Sequence, residues 1–87
     1  MKNINARHQK TLQLIFSQPT PSSLEWRKIE ALFIALGAKV SEGSGSRVRF
    51  EINQVVASFH RPHPDKEAKV YQVRDAMAFL IAAGVST

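Results

Sequence analysis

Apolar residues recur every three to four positions early in the chain, then every second position, then every three to four again. Leu12, Ile15 and Phe16 mark one side of a helix predicted over 6–17, and Asn5 is placed to accept an orphan backbone N–H at its start. Pro19 and Pro21 end that helix, because neither can donate a helical hydrogen bond. Ser22 and Glu25 have the spacing of a capping box, in which each side chain satisfies a backbone N–H of the first turn. They predict a second helix whose stripe is Trp26, Ile29, Leu32, Phe33 and Leu36, stopped by Gly37, which is free to adopt positive φ. That stripe reads as core rather than as a ligand site.

From residue 38 the period is two. A short strand is predicted over 38–41, followed by the flexible turn Gly43-Ser44-Gly45-Ser46. Residues 47–52 alternate, with Val48, Phe50 and Ile52 on one side and Arg47, Arg49 and Glu51 on the other. A two-residue turn at Asn53-Gln54 leads into a return strand over 55–60. Such a turn sets the register: Ile52 faces Val55, Phe50 faces Ala57 and Val48 faces Phe59 on the buried side. On the solvent side Arg49 then lies across from Ser58, and Arg47 across from His60. Arg61-Pro62-His63-Pro64 is extended by its prolines, and 65–69 is polar. A last helix over 70–83 carries Val70, Val73, Met77, Leu80 and Ile81 and stops at Gly84. The expected fold is α+β, in the order α-α-β-β-β-α, with a three-stranded antiparallel sheet covered by helices.

At 87 residues the chain has room for one domain with a thin core and none for a dinucleotide-binding unit. With no cysteine, a disulfide framework, a thiolate nucleophile and a Cys-ligated zinc are excluded. No apolar run is long enough for a bilayer and no secretory stretch opens the chain, so a cytoplasmic protein without membrane contact is expected. The net charge of +5 is localised. Residues 1–24 hold Lys2, Arg7 and Lys10 with no acid, and 39–61 hold Lys39, Arg47, Arg49 and Arg61 against Glu42 and Glu51. A localised excess suits a polyanion, although the same charge also keeps a small domain in solution.

Several of these pieces, taken in order, resemble the HicA (YcfA-like) family of toxin–antitoxin systems over roughly 32–85. Leu36-Gly37-Ala38 closes a helix and opens a strand; Gly45-Ser46-Arg47-Val48-Arg49-Phe50 stands where the family has Gly-Ser-His and an apolar strand. Pro62-His63-Pro64 corresponds to the family's Pro-rich, His-containing loop, and Val73-Arg74 with 79–85 to its last helix and terminal glycine. The resemblance implies a fold like a double-stranded RNA-binding domain over 22–87, with 1–21 as an N-terminal helical extension. It also implies ribonuclease activity on mRNA and neutralisation by a HicB-type antitoxin. In the family the histidine of Gly-Ser-His is catalytic; here Arg47 holds that position, and an arginine cannot serve as a base at neutral pH.

RNA can be cut without metal when its own 2′-OH attacks the adjacent phosphate. Histidine suits the proton transfers because its pKa lies near neutrality, and arginine suits the phosphate charge. His60, one strand across from Arg47, and His63, held between prolines, are the candidate acid–base groups; Ser46, Arg47, Arg49 and Arg61 are the candidate RNA contacts. Each has a plainer alternative: His60 as a half-exposed strand residue, His63 as a brace in its loop, Ser46 as a turn residue, the arginines as a solvated face. His8, Lys66 and Lys69 read as solvated. Metal is not expected, because no carboxylate set completes the His60/His63 pair, and no cofactor is expected. Two functions fit: an RNA-cleaving toxin, or a catalytically degenerate module of the same fold that binds RNA or protein. The N-terminal stripe of Leu12, Ile15 and Phe16 either packs on the domain or meets a partner.

Overall fold

A computed structural model describes residues 4–87, so Lys2 lies outside the described residues. The elements are α1 (Ala6–Phe16), α2 (Trp26–Ala35), β1 (Lys39–Glu42), β2 (Arg47–Ile52), β3 (Val55–His60) and α3 (Val70–Ala82). The strands form one antiparallel sheet in the order β1-β2-β3. This is an α+β fold whose α2-β1-β2-β3-α3 portion has the element order of a double-stranded RNA-binding domain. No helix among the described residues is long and apolar enough to cross a membrane.

Period-two alternation puts Val48, Phe50, Ile52 and Phe59 on one face of the sheet, and all four are buried. Trp26 and Phe33 of α2 and Phe79 of α3 close over them. Phe33 meets Phe50 edge-on at a centroid distance of 4.9 Å and Phe79 at 5.2 Å, and Trp26 lies 5.2 Å from Phe59. Tilted and edge-to-face contacts of this kind add stability beyond the area they bury. Leu12 and Ile15 of α1 belong to the same cluster, with Phe16 half-buried beside it. Helix α1 therefore packs on the rest of the chain through its stripe.

The register is the one the hairpin turn requires: Ile52 opposite Val55, Phe50 opposite Ala57, Val48 opposite Phe59, Arg49 opposite Ser58 and Arg47 opposite His60. Asn53 and Gln54 both have positive φ, 51° and 69°, which is the twist a two-residue hairpin turn needs. Asn53 is also tied down, its Nδ2 donating to the Ala83 carbonyl at 2.7 Å. Gly37 ends α2 at φ 93°, a conformation that costs a residue with a Cβ more than it costs glycine.

Three expectations about the elements are corrected. Ser22 and Glu25 form no capping box: α2 starts at Trp26, and Glu25 caps without a side-chain bond. The preceding segment is extended and pairs with the one before α3 instead, Trp26 N donating to Lys66 O at 2.9 Å and Ala68 N to Leu24 O at 2.8 Å. A backbone partner from across the molecule takes the place of the local side chain. The first strand lies one residue later than expected, at Lys39–Glu42, because Ala38 N still bonds the Phe33 carbonyl of the helix end. Ile81 is 57% exposed rather than core. The buried side of α3 runs through Gln72, Val73, Ala76, Phe79 and Leu80, which turns Ile81 outward.

Candidate functional site

The helices cover one face of the sheet and leave the other to solvent. On that open face the antiparallel pairing lines up three rows. Lys39, Glu51 and Val56 form the first, Ser41, Arg49 and Ser58 the second, and Arg47 and His60 the third. Arg47 and Arg49 are exposed, as any outward residue of a half-buried strand must be.

Ser46 immediately precedes β2, and its Oγ lies 3.4 Å from His60 Nδ1, at the long end for a hydrogen bond. The contact engages Nδ1 of the exposed His60 ring. His60 is held from behind as well: the Gln72 side-chain amide donates to the His60 carbonyl at 2.7 Å, while Gln72 Oε1 accepts from Lys69 N at 3.0 Å. Gln72 is buried and spends both ends of its amide on these bonds, so the last residue of β3 is fastened to the first turn of α3.

A cavity of about 250 Å³ opens beside the hairpin, lined among others by Ser41, Gly43, Arg47, Arg49 and Ser58. Gly43 lets the β1–β2 turn close over Arg47: a Cβ there would lie 3.0 Å from Arg47 Cβ. Glu42 also lines this cavity, and His60 stands outside its walls. His63 is exposed on the loop after β3, and the flanking Pro62 and Pro64 line a different cavity of about 430 Å³ with Glu25, Arg27, Asp65 and Lys66.

The structure thus brings Ser46, Arg47, Arg49 and His60 onto one exposed patch, with His63 three residues further along the chain. Arg61 has another occupation. Its guanidinium meets Glu42 at 2.7 and 2.9 Å and Glu30 at 2.9 and 3.1 Å, two bidentate pairs at once. Glu30 in turn accepts from Trp26 Nε1 at 2.9 Å. Arg61 therefore ties α2, β1 and the end of β3 together, with four of its five N–H groups directed at carboxylates. The pairing holds the Arg61 guanidinium above, and the Glu42 carboxyl below, their ordinary pKa ranges, hydrogen bonding being the main cause in both. Gln72, Glu30 and Glu42 were not among the residues expected at the site. Gln72 had one sequence signal, a lone amide beside Val73 on the apolar side of a helix. Among the described residues, no group of three or more His, Cys, Asp or Glu is placed to hold a metal ion.

Residues 26–85 match the model of the family described as the HicA toxin of bacterial toxin–antitoxin systems. The chain belongs to the HicA toxin family. The matched segment starts at the first residue of α2 and contains the whole sheet, the Ser46–His60 contact, the proline loop and α3. Searches of curated proteins and of solved structures returned no match.

Proposed function

We propose that this HicA-family protein is the toxin of its pair and cleaves mRNA by metal-independent attack of the RNA's own 2′-OH. The observation that carries this function is the cross-strand pairing of Arg47 with His60 on the open sheet face, with Arg49 one row along. Arg47 and Arg49 bind phosphate oxygens and offset the charge that grows on the phosphorane-like transition state. His60 takes the 2′-OH proton through Nε2, Ser46 orienting the ring through Nδ1. The 2′-oxygen bonds to phosphorus, the P–O5′ bond breaks, and His63 supplies the proton to the departing 5′-oxygen. The products are a 2′,3′-cyclic phosphate and a 5′-hydroxyl. A HicB-type antitoxin silences the activity by covering the same face.

The test is cleavage of an mRNA by the wild-type protein and by His60→Ala and His63→Ala, with a chelator present. Removal of a positioned acid or base lowers the rate by about 10²–10⁴-fold. Full activity in both variants would end the proposal for these histidines. One observation favours a second function: Arg47, not histidine, follows Gly45-Ser46. A catalytically degenerate RNA-binding module would show salt-sensitive RNA binding, no cleavage by the wild-type chain, and no growth arrest when expressed without an antitoxin.

A further inference from the structure

A second basic surface lies away from the sheet, where α1 crosses α2. Arg7 and His8 of α1 face Arg27, Lys28 and Ala31 of α2 across a groove of about 410 Å³, and no carboxylate lines it. Arg27 is a wall of this groove and, with Glu25, Pro62, Pro64, Asp65 and Lys66, of the cavity under the prolines that flank His63. The two depressions therefore adjoin at one arginine. Arg27 meets Glu25 through Nε and its side chain is 82% exposed, so the rest of its guanidinium faces outward. Two of the five lining residues, Arg7 and His8, come from α1, which precedes the segment matched by the family model.

We infer that the groove between α1 and α2 is a second phosphate-binding stretch for RNA. It receives the strand beyond the cut site and is reached from the proline loop past Arg27. The inference rests on the RNA-cleavage proposal for the direction of the strand, and on the groove alone for the binding. Four residues with cationic or titratable nitrogen, contributed by two helices and facing one depression without an acid, suit a backbone of regularly spaced negative charges. An acidic protein segment is the competing occupant. The groove offers it charge but one aliphatic side chain, Ala31, to pack against.

The experiment compares the full-length wild-type chain with Arg7→Gln/Lys28→Gln and with Arg47→Gln/Arg49→Gln. All four positions are exposed, and thermal melts check that each variant is folded. The probes are fluorescent single-stranded RNAs of about 6 and about 20 nucleotides, the shorter near the low end of site sizes for single-strand-binding grooves. The groove variant is expected to bind the longer RNA roughly 5- to 20-fold more weakly at low salt. Its log Kd against log salt should be flatter by about 1.4, two phosphate contacts at ~0.7 each. Its affinity for the short RNA should be unchanged. An unaltered slope on the longer RNA overturns the inference, including the case in which the groove takes an acidic protein. If the sheet-face variant alone weakens, the groove proposal fails and the cleavage site stands. If the groove variant alone weakens, the groove stands and the sheet-face contacts fail.

Discussion

At the scale of single residues, Arg61 shows how a side chain's neighbours decide its use. Its two carboxylate partners come from 19 and 31 residues away in the chain, so nothing in the local sequence separates it from Arg47 or Arg49. Arg61→Ala leaves Glu30, whose side chain is only 19% exposed, with Trp26 as its remaining side-chain donor. With Arg61 itself a third exposed, the expected loss is about 1–2 kcal/mol, or a melting midpoint roughly 5–15 °C lower. Glu42 adds a pH signature. Its folded pKa is depressed by the Arg61 hydrogen bonds, so its contribution is present above the unfolded glutamate pKa and lost as pH falls through the depressed value. Thermal melts of Glu42→Gln should lie below wild type at neutral pH and converge with it in acid. A gap of constant size across that range would show that the Arg61–Glu42 pair contributes nothing.

At the scale of elements, the hairpin was legible because its two strands and its turn each constrain the other. Alternation over 47–52 and 55–60 leaves two residues between the strands, and that count sets which side chains face one another. The price is a turn with φ above 50° at both Asn53 and Gln54, where glutamine is the poorer fit. Gln54→Gly should therefore raise the melting midpoint by a few degrees, a gain of about 0.5–1 kcal/mol as left-handed strain is relieved. Asn53→Ala should lower it by about 1–2 kcal/mol, since it loses both tolerance of this conformation and the bond to the Ala83 carbonyl. Urea melts of both variants check the two signs; a stabilising Asn53→Ala would contradict this account of the turn. The start of α2 was misread for the opposite reason. Its spacing suggested a local cap, but the bonds go to Lys66 and Ala68, some forty residues on.

At the scale of the molecule, α1 is part of the core and also a wall of the second basic groove. Leu12 is 3% and Ile15 1% exposed, and burial of two such side chains is worth roughly 3–6 kcal/mol together. That is a large share of the 5–15 kcal/mol available to a domain. Leu12→Ala should cost about 2–4 kcal/mol, read as a shift in the urea midpoint with the m-value unchanged. A loss below about 0.5 kcal/mol would mean that α1 rides on the surface. The basic residues take on shape here as well: Arg47 and Arg49 lie on the open sheet face, while Arg7, Arg27 and Lys28 line a groove between helices.

The order of elements, the hairpin register and the sharing of one face by Arg47, Arg49, Ser58 and His60 follow from the sequence alone. They depend on periodicity and turn length, which are local and are set by backbone geometry. Tertiary structure decided that Arg61 is paired while Arg47 and Arg49 stay exposed, what holds His60 in place, how α2 begins and that Ile81 faces water. These depend on the meeting of Arg61 with Glu30 and Glu42, of Gln72 with the His60 carbonyl, and of Trp26 with Lys66. Each joins segments far apart in the chain, and only the packing of helices on the sheet brings such groups within hydrogen-bonding distance.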